Sequence, residues 1–204
     1  MRPARIAILA SGTGSNAQAL IRKAQELGAD KLEVGFVLSD KEEAPVLERA
    51  RDLGVPAFLR AKFNDRRTHE DAILMLLKEH HIDWVLLAGY MRLLSPYFLK
   101  TLQSWHQSAS QVVNIHPSLL PAYPGVDSIA RAYTDRVSES GVTLHLVDEG
   151  MDTGLVLRQQ KISLGNETLP EWSAKFHRVE HQIYGAFLTD IAEGHQKTCY
   201  FTET

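Results

Sequence analysis

An amide and an imidazole stand two residues apart in this chain, at Asn114 and His116, where the apolar run Val112–Ile115 meets Pro117. Side chains two apart on an extended segment share a face, so both can address one small volume beyond a strand end. An Asn NH2 can donate to a developing oxyanion, and a His can move a proton near neutral pH. Pro117 and Pro121 fix φ and remove donors, which stiffens the loop that follows. Either residue alone reads as a turn or capping residue. The pair, in this setting, has the chemistry of acyl transfer.

A third group comes from Asp148-Glu149-Gly150-Met151-Asp152-Thr153-Gly154, whose two glycines allow a sharply folded loop. With a catalytic His elsewhere, one carboxylate is expected to orient the imidazole and favour its protonated form, and Asp152 is the candidate. The alternative is that these Asp residues are solvated or bond their own backbone. The turn Ser11-Gly12-Thr13-Gly14-Ser15-Asn16 joins an apolar run to a helical pattern, an arrangement that binds phosphate at a helix start. It does not complete G-x-G-x-x-G, since Ala17 follows, and it lacks a P-loop Lys, so a phosphomonoester is favoured over a dinucleotide. The competing reading is a plain strand–helix turn with Ser15 or Asn16 as N-cap.

The segment Trp84–Pro96 runs past Gly89 into an apolar elbow of the kind that cradles a flat heteroaromatic ring, although Met91, Leu93 and Leu94 read equally as core. Arg66 and Arg67 sit at an expected helix start, where the dipole disfavours cations, and so point to an anionic ligand. Glu180 lies mid-helix, where spacing alone describes an ordinary i,i+3 or i,i+4 surface pair. His145 falls within a strand and reads as a packed, hydrogen-bonded imidazole. His69, His80, His81, His106 and His195 lack metal-ligand spacing, and no metal is expected.

The elements that must position these groups alternate. Arg5–Ala10, Val34–Ser39, Pro56–Leu59, Trp84–Leu87 and Val112–Ile115 read as strands, and Asn16–Leu27, Pro45–Leu53, Asp65–His80 and Pro96–Leu102 as helices between them. Such repeated β–α alternation with near-continuous apolar strands predicts a doubly wound α/β fold, a mostly parallel sheet with helices on both faces. A short helix over Ser128–Thr134, strands at Gly141–Val147 and Leu155–Ile162, and a long helix over Leu169–Glu193 complete the pattern. No Pro/Gly/Ser linker divides the chain and no repeat is present, so residues 1–204 are expected to form a single domain.

The composition is that of a soluble globular protein, with 204 residues, 44% hydrophobic and 23% charged. A net charge of −3 and the lack of any basic run argue against nucleic acid as a partner. The single cysteine, Cys199, excludes an intrachain disulfide and fits a reducing compartment. The first residues run straight into an apolar strand without a signal-peptide h-region or a membrane span. A cytoplasmic protein that acts on small molecules, as a monomer or homodimer, is expected.

Taken together, Ser11–Asn16, Leu87-Ala88-Gly89-Tyr90-Met91-Arg92, Asn114–Gly125 and Gly141–Gly154 resemble the phosphoribosylglycinamide formyltransferase family of folate-dependent enzymes, over nearly the whole chain. The resemblance implies a Rossmann-like formyltransferase fold and transfer of a formyl group from 10-formyltetrahydrofolate, as co-substrate, to the amine of glycinamide ribonucleotide in purine biosynthesis. It implies that Asn114 stabilises the oxyanion, that His116 transfers the proton and that Asp152 raises the imidazole pKa. Gly14, Ser15 and Asn16 would hold the nucleotide phosphate, and His177, Arg178, Val179 and Glu180 the rest of that substrate. Arg66, Met91, Arg92, Leu93, Leu94, Asp148, Glu149, Gly150 and Met151 would line the folate pocket.

This chain departs from the family pattern at Leu155 and Gly185, where proline is frequent, and in a longer segment Thr101–Gln111. The sister methionyl-tRNA formyltransferases resemble it only in their first domain and add a nucleic-acid-binding domain. Formyltetrahydrofolate deformylases carry a regulatory domain before the first strand. A non-catalytic phosphate- or folate-binding module on the same fold would have no need of Asn114, His116 and Asp152 together.

Overall fold

The apolar runs become β1 (Ala4–Ala10), β2 (Leu32–Ser39), β3 (Ala57–Leu59), β4 (Trp84–Leu87), β5 (Val112–His116), β6 (Glu139–Leu146) and β7 (Val156–Ser163). The helical patterns become α1 (Ser15–Leu27), α2 (Pro45–Asp52), α3 (Arg66–Glu79), α4 (Pro96–His106), α5 (Ser128–Thr134) and α6 (Leu169–Ala192). This is a computed structural model, and it describes residues 2–61, 65–107 and 110–200. The strands form one sheet in the order β3-β2-β1-β4-β5-β6-β7. β1 pairs in parallel with β2 and β4, β2 with β3, and β4 with β5, whereas β5–β6 and β6–β7 are antiparallel. The expected doubly wound, mostly parallel sheet is thus present, with an antiparallel flank.

Alternation along the strands divides the core in two. Ile6, Ile8, Val37, Trp84, Leu86, Val113, Ile115, Val142 and Leu144 pack with α1, α2, α5 and α6. Ala7, Leu9, Phe36, Leu38, Val85, Leu87 and Val112 pack with α3 and α4 on the other face. The strands β1 and β4 are nearly apolar throughout because both their faces are covered.

Some boundaries move. The sequence suggests an end to α4 at Leu102, since Gln103 and Ser104 are polar, but the helix continues to His106. His106 is buried with its Nε2 3.2 Å from the Ile82 carbonyl, and that contact holds the extra turn. Most of the long Thr101–Gln111 segment is therefore helix. Residues 108 and 109 lie outside the described residues.

β1 and β4 are neighbours from which the chain winds in opposite directions, so their C-terminal ends open a crevice where ligands bind in such sheets. The Ser11 N–H donates to the Gly89 carbonyl at 3.1 Å across this point. α1 begins there, but neither Ser15 nor Asn16 is its N-cap. Both lie inside the helix, and the N-cap is Gly14 at φ 82, with no side-chain cap. Only glycine suits the position, because a Cβ there would meet Val46 Cγ2 at 2.5 Å in a left-handed conformation.

Gly14→Val should therefore destabilise the fold by on the order of 3 kcal/mol, combining backbone strain with overpacking. Gly12→Ala, whose Cβ would meet nothing within 4 Å, should stay near wild type. Urea unfolding of both variants measures the difference, and equal midpoints would contradict the role given to Gly14.

Candidate active site

The antiparallel register sets Asn114 opposite His145 and His116 opposite Thr143. Val112, Asn114 and His116 share the face of β5 that packs on α3 and α4 at its apolar beginning. The face turns polar toward the strand end, and the partners it meets on β6 are polar too. Asn114 Nδ2 lies 3.3 Å from His145 Nε2, and His145 Nδ1 lies 3.0 Å from the Leu146 carbonyl. The reading of His145 as a packed strand residue is thus incomplete, since it is buried yet faces the candidate amide.

The loop after β6 folds back sharply enough for the Leu146 N–H to reach the Leu155 carbonyl at 2.9 Å. Gly154 permits this, because a Cβ on it would lie 1.7 Å from the Leu146 carbonyl oxygen. The fold returns Asp152, at φ 56, to the histidines. Its Oδ2 lies 3.4 Å from His116 Nδ1 and accepts the Gly125 N–H at 2.8 Å, while Oδ1 lies 3.6 Å from His145 Nε2. The His145 contact foremost, then the Gly125 N–H and the charge of both histidines, lower its pKa to about 2 against the opposing effect of burial. Asp152 is therefore a carboxylate at neutral pH. His116 Nε2 lies 2.8 Å from the Tyr123 carbonyl, so both ring nitrogens face acceptors. Asp152, distant in sequence, is thus brought against His116, and His145 links it to Asn114.

A second cluster forms where α6 crosses the start of α1. Glu180 is buried rather than a surface pair, accepts from Asn16 Nδ2 at 3.0 Å and lies 3.6 Å from His177 Nδ1. Burial pushes its pKa up, opposed by the Asn16 bond. Asn16 Oδ1 is itself buried and has no hydrogen-bond partner among the described residues. Gly14, Ser15, Asn16 and Glu180 therefore share one corner. His177 and Arg178 are exposed beside it and Val179 is half-buried.

At the elbow after β4, Met91 and Leu93 are 71% and 63% exposed, which removes them from the core, while Leu94 is buried and Arg92 half-buried. Arg66 and Arg67 are not simply held in reserve for an anion. Arg66 Nη2 donates to the Leu93 carbonyl at 2.6 Å and its Nε lies 3.3 Å from Glu70, while Arg67 pairs with Asp71 and stacks on Tyr97. In the loop after β6, Asp148 accepts from Gly150 N–H and Thr153 Oγ1 and so bonds its own turn, Glu149 pairs with Lys100, and Met151 is exposed. A cavity of about 220 Å³ lies between this loop and α4, lined by Leu99, Gln103, Val147 and Leu155 among others. None of Asn114, His116 or Asp152 lines it. Among the described residues no His, Cys, Asp or Glu group is arranged to hold a metal, and no helix is long and apolar enough to cross a membrane.

The lowered pKa of Asp152 carries a stability consequence. A carboxyl held at about 2 against an ordinary value of 3.8 contributes stability that is present above the unfolded pKa and is lost as pH falls through the folded one. The shift corresponds to roughly 2 kcal/mol. Asp152→Asn should thus be less stable than wild type at neutral pH, with the gap narrowing by about that amount toward pH ~2. Denaturant unfolding across the acid range measures it, and a gap independent of pH would remove the ion pairing from Asp152.

The formyl transferase family model matches residues 4–188. Phosphoribosylglycinamide formyltransferase of Bacillus subtilis is 35% identical over 190 residues, covering 92% of this chain and 94% of that protein. The crystal structure of phosphoribosylglycinamide formyltransferase from Bacillus halodurans is 39% identical with a TM-score of 0.84, over 94% of this chain and 97% of that one. That of glycinamide ribonucleotide transformylase 1 from Geobacillus kaustophilus is 42% identical, also at 0.84, over 92% and 97%. With matches that extend over both the sheet and the assembled site residues, the chain belongs to the formyl transferase family.

Proposed function

We propose that the protein, acting as a single domain over residues 1–204, transfers the formyl group of 10-formyltetrahydrofolate to the amine of glycinamide ribonucleotide in de novo purine biosynthesis. The observation that carries this reading is the meeting of Asn114, His116 and an ionised Asp152 at the end of β5, in a chain whose full-length relatives bear that activity in their names. Both substrates are small molecules.

The substrate amine attacks the formyl carbon and the carbonyl oxygen takes up negative charge. Asn114 donates to that oxygen, and His116 stabilises it as the imidazolium, with Asp152 facing Nδ1. Collapse breaks the bond from the formyl carbon to the folate nitrogen, and one proton passes from the attacking nitrogen to the departing one, through His116 or a bound water. No covalent enzyme intermediate is needed. Cys199 lies near the C-terminus, and Ser118, two residues after His116, donates its hydroxyl to the Ala122 carbonyl and not to a base.

The nucleotide phosphate would meet the uncapped start of α1 at Gly14, Ser15 and Asn16, where N–H groups and the helix dipole favour an anion. Glu180 would accept a hydrogen bond from the glycinamide end, with His177, Arg178 and Val179 alongside. The folate ring would lie against Met91, Arg92, Leu93 and Leu94, with Arg66 behind them and Asp148, Glu149, Gly150 and Met151 opposite. Two large apolar side chains left in solvent there support an apolar ligand face.

Incubating the protein with 10-formyltetrahydrofolate, with and without glycinamide ribonucleotide, and following the deformylated folate tests the reading. Turnover that needs the nucleotide is expected. Turnover with water alone would indicate a deformylase, and none a binding module. Asn114→Ala and His116→Ala should each lower kcat by on the order of 10²-fold or more with the fold retained, and a variant with near-normal kcat would lose its role.

Glu180→Gln should weaken nucleotide binding about tenfold, the loss of a charge-assisted bond. Exposed Glu26 on α1 serves as the surface control. Calorimetric titration of Glu180→Gln and Glu26→Gln with glycinamide ribonucleotide should separate the two, and equal affinities would leave Glu180 outside the site.

A further inference from the structure

Two buried carboxylates outside the proposed catalytic groups, Asp40 and Glu70, hold opposite ends of the elbow after β4. Glu70 lies on α3, one turn beyond Arg66, and its side chain is 4% exposed. A charge buried beside the core-packed Ile73 and Leu74 is costly unless hydrogen bonds meet it. Those bonds all bear on the elbow. Glu70 accepts from the Ser95 N–H at 2.8 Å and from the Ser95 hydroxyl, and it faces Arg66 Nε, whose guanidinium also donates to the Leu93 carbonyl at 2.6 Å. Ser95 Oγ in turn accepts the Phe98 N–H and caps α4. The far end of the segment is thereby tied to two helices.

The near end is tied by Asp40, at the end of β2 and 7% exposed. Its Oδ1 accepts the Ser11 hydroxyl at 2.6 Å, which leaves Ser11 Oγ to accept the Met91 N–H at 3.0 Å. Ser11, Asp40 and Met91 follow β1, β2 and β4, so one hydroxyl joins the C-terminal ends of three strands. Between the two anchors stand Met91 and Leu93, 71% and 63% exposed. Their own packing does not hold these side chains in place. The backbone beneath them is held by these bonds, the ones to Asp40 and Glu70 charge-assisted, together with the buried Tyr90 and Leu94 that flank them.

We propose that Asp40 and Glu70 are positioning residues for the formyl donor: by anchoring Met91–Ser95 at both ends they hold an apolar edge ready for the flat folate ring, so that its ordering is not charged against binding. On this view Arg66 acts through the loop it braces as well as by any contact with the donor. The inference rests on the formyl-transfer reading for the identity of the ligand, and on the hydrogen bonds alone for the anchoring.

Preorganisation predicts a loss in binding and not in chemistry. Glu70→Gln and Asp40→Asn, each close in shape to the original, should raise KM for 10-formyltetrahydrofolate roughly tenfold while kcat and KM for glycinamide ribonucleotide change little. Tetrahydrofolate titrated calorimetrically should show the same weakening without turnover. Amide hydrogen exchange should accelerate in the segment 91–95 of each variant while the β1 and β4 amides stay protected. Wild-type protein carries the exchange comparison if a variant folds poorly, because the same amides must then rank with the protected core and not with exposed loops. Unchanged donor affinity in both folded variants would overturn the proposal, as would fast exchange of this segment in the wild type. Failure of the wild type to bind tetrahydrofolate would instead overturn the formyl-transfer reading and leave the anchoring to be judged by exchange.

Discussion

The antiparallel pairing of β6 on β5 is the constraint on which the site depends. It sets His145 across from Asn114, and it brings the chain back along β5 so that the following loop starts beside Val112 and must fold over the polar end of that face. Had β6 continued the parallel pattern of the first five strands, a crossover helix would have been required. The acidic loop would then have emerged from the same edge as Asn114 and His116, without the fold-back that places Asp152 between two imidazoles. The cost of that fold-back is carried at Gly154, where no side chain fits, and at Asp152 itself, which adopts a left-handed φ that Asp tolerates better than most.

Charge is concentrated where the sheet switches direction, and the structure deals with it in two ways. Asp152 and Asp40 are satisfied by donors from loops of other strands, so each carboxylate doubles as a tie between segments far apart in sequence. Glu180 has fewer donors, and burial pushes its pKa up. A buried carboxylate with one amide donor, next to an amide oxygen with no partner among the described residues, is short of hydrogen bonds in a way that a bound amine or amide would relieve. The two corners therefore differ in character: the protein satisfies the carboxylate of one and leaves a buried amide oxygen of the other without a partner among the described residues.

The second helical layer explains why Met91 and Leu93 stay in solvent. α3 and α4 cover the sheet from β2 to the start of β5, and within the elbow their apolar cluster takes in Tyr90 and Leu94 but not Met91 or Leu93. Met91 and Leu93 consequently have no core to enter. Loops of this kind are commonly mobile, but here backbone bonds to Ser11, Glu70 and Arg66 add to the burial of Tyr90 and Leu94.

The sequence by itself determined the elements, because period-two and period-3.6 patterns and near-continuous apolar strands are local properties. It also singled out Asn114 and His116, since two side chains on one strand share a face whatever else the chain does. It named Asp152 among the three carboxylates of its loop only on the expectation of a catalytic His, and spacing alone left Glu180 as a surface pair, His145 as packing, and Met91 and Leu93 as either core or ligand edge. Each of those depends on what lies across a strand pair or under a helix crossing. Glu180 is buried because α6 lies over the start of α1, and His145 belongs to the site because of a register that no local pattern encodes. The N-cap of α1 was misread for a similar reason: Gly14 is demanded by Val46 on a neighbouring helix, a steric contact between segments thirty-odd residues apart. Local propensity sets what each segment becomes, and only the packing of segments decides which polar groups lose water and must find one another.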